Sequence, residues 1–293
     1  MSVLVCENVT KLYRKHPSVI NFNYNFLDNQ IYAIIGKSDS GKETLLNLIS
    51  TKAKPNEGQV FLDGQLLYNN PLMAKRICFI SKKMSFPGHL SIREICQLMA
   101  SFYPKWDNGY AYELMHFFEI KPNTLYYKLF PNKKELLLGI LGLASRANIT
   151  VFENPLDDVD AKDRYDFFNF VYSHHTRYPR TLILSTDYID EIESIVHKVL
   201  FFDKGRLFEN FTTEEIKTSF KYLSGKTEVL KSLITGIKVI GVEERDNNLT
   251  VCIRKKLTKD EIRKYQKYLI KISEVPIQKV FIYLINLREM KGI

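Results

Sequence analysis

The clearest hydrophobic pattern in the chain is Ile31-Tyr32-Ala33-Ile34-Ile35, an apolar run with polar residues on both sides. So short a run, bounded by turn signals, predicts a strand buried on both faces. The polar stretch 36–42 follows, and an apolar helix begins near Glu43. Comparable apolar runs at 77–81, 149–152 and 181–185 predict further strands, and 135–144 predicts a helix. Beyond about residue 210 the pattern changes. Thr212-Thr213-Glu214-Glu215-Ile216-Lys217 opens a capped helix. Residues 238–243 and 249–254 read as two strands joined through the turn 245–248, and 258–269 is helical in pattern. Residues 275–287 are expected to supply a strand and a short helix. The result is a small C-terminal α/β appendage suited to dimer contact or regulation, with no recognisable chemistry of its own.

A chain of 293 residues holds one large domain plus such an appendage. Its longest uncharged apolar stretches, 31–35 and 136–144, fall well short of the ~20 residues a membrane-spanning helix requires. No basic region followed by an apolar core opens the chain, so a cytosolic protein is expected. Cys6, Cys78, Cys96 and Cys252 are scattered without metal-ligand spacing, which predicts buried reduced thiols. The net charge of +9 suits nucleic acid, an anionic membrane face or nucleotide phosphates alike. Lys and Arg are interspersed with Asp and Glu throughout, so the sign does not choose among them.

Chemistry concentrates at Gly36-Lys37-Ser38-Asp39-Ser40-Gly41-Lys42, between a strand and a helix. Glycines let backbone N–H groups curl around phosphate oxygens, the helix N-terminus adds positive potential, and Lys42 is placed to reach the outer phosphates of a triphosphate. The motif calls for Ser or Thr after the lysine to hold Mg²⁺. That position is Glu43, with Thr44 one residue late. Glu43 either ligates the metal directly, repels the phosphates, or is an ordinary surface glutamate favoured by the helix dipole.

Further segments stand in a familiar order. Tyr13 lies in the leading strand-turn region 11–14, and Pro55-Asn56-Glu57-Gly58 with the run to Gly64 follows the first helix. Residues 77–94 combine an apolar strand with a polar loop and a helix start, and 149–160 run from a strand into Asn154-Pro155-Leu156-Asp157-Asp158-Val159-Asp160. Over about residues 1–210 this series resembles the ATP-binding cassettes of ABC transporters. The resemblance implies an α/β P-loop ABC cassette with a mixed sheet core, spanning 1–212, a helical subdomain at about 91–143, and the accessory domain at 213–293. The stretch Phe102-Tyr103-Pro104-Lys105-Trp106-Asp107 is similar to one in a bacterial exporter branch that includes the staphylococcal phenol-soluble-modulin exporter cassettes.

The resemblance assigns ATP to Tyr13 and to Gly36, Lys37, Ser38, Asp39, Ser40, Gly41, Lys42, Glu43 and Thr44, with Mg²⁺ at Glu43 and Glu153. It also exposes departures. The places of the strand-end Asp and the catalytic Glu hold Glu153 and Asn154, and an amide cannot take a proton from water at neutral pH. The γ-phosphate-sensing glutamine is matched by Lys82 and the switch histidine by Asp187. The signature run is Leu129, Phe130, Pro131, Asn132 and Lys133, in which Pro131 has no N–H and Phe130 no hydroxyl. Plainer readings stand beside these: Tyr13 as packing, Asp160 as a helix cap rather than a dimer-contact aspartate, and His174-His175 as a polar helix end. Phe102, Tyr103, Trp106, Tyr110 and Tyr112 read as subdomain core or, if exposed, as a groove for a membrane subunit.

The implied function is that of an ATP-binding subunit coupled to a separate integral membrane subunit. It sits on the inner face of the plasma membrane and pairs with a second cassette as a homo- or heterodimer. The alternative is a catalytically inactive binding partner of a competent cassette. A soluble cassette acting on ribosomes or DNA ranks last, since a single cassette fills the chain, and no nucleic acid is expected.

Overall fold

The computed structural model describes residues 3–186 and 189–290. It falls into two compact units, Met1–Glu209 and Asn210–Ile293. The sequence pattern puts that boundary slightly later, after residue 212.

The first unit is built on two sheets. Strands His16–Phe26, Leu4–Tyr13, Glu57–Leu62 and Gln65–Leu66 form a four-stranded antiparallel sheet in that order. The second has six strands in the order Arg206–Thr212, Lys198–Asp203, Ile31–Gly36, Thr181–Ser185, Ile149–Glu153 and Ile77–Ser81. From Lys198–Asp203 to Ile77–Ser81 all its pairings are parallel. Its central strands are buried along nearly their whole length. That is why they read as unbroken apolar runs rather than as alternating ones. Phe22, Phe26, Tyr32, Leu45, Leu46 and Phe202 help to join the two sheets in one core. The Phe26 and Tyr32 rings meet edge to face at 5.0 Å, and the Tyr32 hydroxyl accepts the Leu27 N–H at 2.6 Å.

Helices Ile92–Phe102, Asn108–Phe117 and Pro131–Ala144 occupy the middle of the unit. Ser91 and Glu94 close a capping box on the first, and Asp107 caps the second through the Tyr110 N–H. The third starts at Pro131, ahead of the expected Glu135, because proline suits the first helical turn, where no N–H partner exists. It is buried from Glu135 to Ala144, a helix apolar on all sides. Two glycines permit this. A Cβ at Gly139 would lie 2.6 Å from the Phe167 ring, and one at Gly142 would lie 2.6 Å from Phe152 and 2.7 Å from Ile80.

The second unit is an antiparallel sheet in the order Val239–Arg245, Asn248–Arg254, Phe220–Lys226, Lys271–Glu274, with four helices. The expected hairpin is present, turning at Asp246 with φ 52°. The expectation for 275–287 is corrected, since Ile277–Met290 is one 14-residue helix and the strand lies before it. Ile277, Val280, Phe281, Leu284 and Ile285 are buried, which is helical spacing, and it overrides the β-branched composition. Strand Phe220–Lys226 and helix Thr227–Leu233 have no counterpart in the sequence pattern; Phe220 and Leu223 are the strand's buried positions, too sparse for an alternation signal. The four cysteines are buried free thiols. Among the described residues no helix is long and apolar enough to cross a membrane.

Replacing Gly142 by Ala forces a methyl against Phe152 and Ile80 and is expected to cost about 1–3 kcal/mol in urea denaturation. Gly109→Ala, where a Cβ meets its nearest neighbour at 3.5 Å in helix Asn108–Phe117, is expected to be neutral or to stabilise by up to about 1 kcal/mol. Equal midpoints for the two variants contradict the packing account.

Candidate functional site

Strand Ile31–Gly36 delivers the loop 36–41 to the C-terminal edge of the parallel sheet, and helix Lys42–Ile49 leaves from it. Gly41 precedes the helix with φ 100°, and a Cβ there would lie 2.0 Å from the Ser18 carbonyl oxygen, so only glycine fits. Gly36 is equally hemmed in, with the Phe202 oxygen 2.3 Å from the place of a Cβ. The Gly205 N–H donates to the Ser40 carbonyl at 2.8 Å, and the Ile20 N–H donates to the Gly205 carbonyl at 2.8 Å. Lys42 arches back over the loop, its Nζ donating to the carbonyls of Gly36 and, at 2.8 Å, of Lys37. The Ser40 hydroxyl is buried and finds no partner among the described residues.

A cleft of about 580 Å³ opens over this loop. It gathers Tyr13, Ser38, Asp39, Ser40, Gly41, Lys42, Glu43, Thr44, Glu153 and Asn154 of the expected residues. Gly36 and Lys37 meet Lys42 through their carbonyls beneath it. Tyr13 is half exposed at the end of the first strand, with the Lys11 ammonium 5.3 Å from its ring centre. Glu43 is ion-paired with Lys83. The Thr44 hydroxyl is held against Ser18 Oγ at 2.7 Å. Asn154 sits at φ 40°, its N–H donating to the Ser185 carbonyl at 2.8 Å, while its buried side-chain oxygen has no donor among the described residues. Glu153 ends strand Ile149–Glu153 in register with Ser81 and Ser185.

Other expected residues lie outside the cleft. Lys82 meets Asp158 at 3.3 Å, Glu135 at 3.6 Å and Asp157 at 3.7 Å. Burial works against its charge, but hydrogen bonding to Asp158 and the fields of Glu135 and Asp157 outweigh that and raise its pKa. Burial pushes the Glu135 carboxyl up, against the pull of the Asp158 N–H, which it accepts at 2.7 Å, and of Lys82. Asp160 caps helix Ala161–Arg177, accepting the Asp163 N–H at 3.0 Å. Leu129 precedes Phe130, which is 75% exposed at the start of helix Pro131–Ala144. Asn132 accepts the Lys133 N–H, and Lys133 reaches Asp163 at 3.3 Å. Asp187 lies outside the described residues.

The polar-end reading of His174 and His175 is corrected, since both are buried. His174 stacks on Tyr110 at 4.3 Å, and burial holds its pKa down at about 3. His175 Nε2 lies 3.0 Å from the Arg180 carbonyl oxygen. Sequence reasoning misses His16, Ser18, Asn47, Ser185 and Lys83. Ser185, as the last residue of a buried run next to that of Glu153, is legible; Ser18 and Lys83 arrive by strand pairing and loop course, which leave no local signal.

Two layers of sheet, a glycine-bounded loop at a strand end and a lysine folded over it define an ATP-binding cassette fold. The chain belongs to the ABC transporter family, whose model matches residues 19–227. It is 24% identical over 191 residues to the ABC transporter ATP-binding protein YtrB of Bacillus subtilis, covering 65% of each chain. It thus spans slightly under two thirds of that relative. To the energy-coupling factor transporter ATP-binding protein EcfA2 of Mycoplasma genitalium it is 25% identical over 268 residues, covering 85% of this chain and 86% of the other. Among solved structures, the ATP-binding cassette MJ0796, a dimer in a post-hydrolysis state with ADP and phosphate, superposes with TM-score 0.64 at 20% identity. That match covers 72% of this chain and 98% of the other, and it bears on the fold alone.

Lys82→Met removes the cation from three carboxylates, one of them buried. The ion pairs are partly solvated, so the expected cost is about 0.5–1 kcal/mol near pH 8. Glu135, whose folded pKa is raised, costs nothing below its unfolded value and destabilises as pH rises through the folded one; losing Lys82 lifts that value further. The penalty should therefore shrink toward pH 4, and a pH-independent penalty in paired denaturation curves contradicts the assignment.

Proposed function

We propose that the chain is the ATP-binding subunit of an ABC transporter, holding nucleotide at 36–44 and acting on a separate integral membrane subunit. The observation that carries this reading is the loop itself. Gly41 in a glycine-only conformation, at the head of the helix, and Lys42 folded over the loop carbonyls form a cradle suited to phosphate oxygens. Tyr13, at the rim, offers a ring for the base. The helix 42–49 N-terminus lends its dipole to the same charge.

Mg²⁺ fits less well. Glu43 is engaged by Lys83 and Thr44 by Ser18, which leaves Asp39 and Glu153 as the other carboxylates lining the cleft. Asn154 occupies the place of the water-activating carboxylate and can only accept or donate hydrogen bonds. This supports binding-driven action with weak or absent turnover. Pairing with a second cassette would bring Leu129, Phe130, Pro131, Asn132 and Lys133 to the partner's loop, where Pro131 withholds an N–H. The helical region 91–143 would bear on the membrane subunit at the inner membrane face. The stretch 102–107 favours an exporter branch such as that of the phenol-soluble-modulin cassettes.

ATP titration in EDTA, read by calorimetry, is expected to show saturable binding that Lys42→Ala weakens roughly 10- to 100-fold, the worth of a hydrogen bond to a charged group. Equal binding by both proteins refutes the proposal. Asn154→Glu is expected to recover far less than the ~10²–10⁴-fold a positioned base contributes, because Glu43 and Lys82 stay as they are. A steady-state phosphate-release assay measures this.

A further inference from the structure

The second unit holds a local excess of charge that the mixed composition of the whole chain hides. Residues 254–271 carry eight basic and two acidic side chains, a net +6 of the chain's +9. Helix Lys259–Lys267 lies among them and sends Tyr265 into a core with Leu223, Val251 and Ile270. Lys259, Arg263, Lys264 and Lys267, at helical positions i, i+4, i+5 and i+8, are all exposed on its outward side. The two acids are already engaged. Glu261 closes a capping box with Thr258 and pairs with Lys255 at 2.5 Å, and Asp260 stands 3.5 Å from Arg263. Lys256, Lys259, Lys264, Lys267 and Lys271 are exposed and have no ion pair among the described residues.

The end of this helix adds an apolar tip. The Leu269 N–H donates to the Gln266 carbonyl at 3.0 Å and the Ile270 N–H to that of Tyr265 at 2.9 Å, a termination that places one residue in the left-handed conformation and ordinarily takes glycine there. Here that residue is Leu269, at φ 56°. Among the described non-glycine residues with positive φ it alone is apolar. Leu269 is also 89% exposed, and Tyr268 before it 49%. A strained backbone with no burial in return gives the leucine side chain no part in stabilising the unit. In hydrocarbon it would regain its transfer free energy, and a neighbouring tyrosine suits the boundary between acyl chains and headgroups. Nucleic acid would meet the lysines but offers a leucine no apolar layer to enter.

We propose that this end of the second unit docks directly on an anionic lipid surface, with Leu269 and Tyr268 entering the headgroup boundary and Lys264, Lys267 and Lys271 meeting the lipid phosphates. Lys221, Lys256 and Lys271 line an adjoining concavity of about 460 Å³, together with Leu257 and Ile262, which carries the same mixture of charge and apolar surface beyond the helix. The contact belongs to the chain itself. It goes beyond coupling to a membrane subunit and needs no nucleotide.

Co-sedimentation of the full chain with vesicles, without nucleotide, tests this. Vesicles of equal parts phosphatidylglycerol and phosphatidylcholine are expected to bind it, pure phosphatidylcholine vesicles far less, and added salt should release it. Leu269→Gly should weaken the binding about tenfold while leaving the denaturation midpoint no lower, because glycine is the residue this turn favours. The triple variant Lys264→Gln/Lys267→Gln/Lys271→Gln should weaken it roughly 100-fold, at about fivefold for each charge near the surface. Equal binding to the two kinds of vesicle, binding to neither, or parental binding by both variants overturns the proposal. So does an RNA oligonucleotide that displaces the chain from the vesicles and binds Leu269→Gly as tightly as the parent, since the patch then belongs to nucleic acid.

Discussion

The cleft depends on one close approach, the backbone of Gly41 against the carbonyl of Ser18. A left-handed residue at that point turns the chain sharply from the buried strand into helix Lys42–Ile49. The strand's own position is set by parallel neighbours on both sides, and the loop is further tied down by the backbone bond between Gly205 and Ser40. Three segments distant in sequence thus fix one short turn. The helix dipole and the lysine act at a common point because that turn has no freedom to relax.

Around this cradle, charged side chains find partners within the chain. Glu43 is ion-paired with Lys83. Lys82 stands among Glu135, Asp157 and Asp158. At both places charge is answered by charge close by.

Much of this is legible in the order of the amino acids. The strands 31–35 and 181–185, the loop between Gly36 and Lys42 and the caps at Thr212 and Thr258 are visible there because each rests on local rules of burial, turn geometry and capping. The strand end that carries Glu153 and Asn154 toward the loop is legible for the same reason. What stays hidden depends on distant partners. Neither the pairing of Thr44 with Ser18 nor that of Glu43 with Lys83 has a signature in the flanking residues. Strand Phe220–Lys226 is obscured because it sits between two neighbours with few buried side chains to mark it. His174 and His175 mislead through composition, since a histidine pair at a helix end looks polar until Tyr110 is stacked upon it.

The junction at Lys82 ties the end of a sheet strand, the long buried helix and the loop after Asn154 through partly hydrated ions 3.3–3.7 Å apart. Separating these three pieces exchanges ion pairs for water, a trade that dissolved salt makes easier over the ~8 Å screening range of physiological media. The junction is therefore sensitive to electrolyte: a dilute medium strengthens it and a concentrated one weakens it.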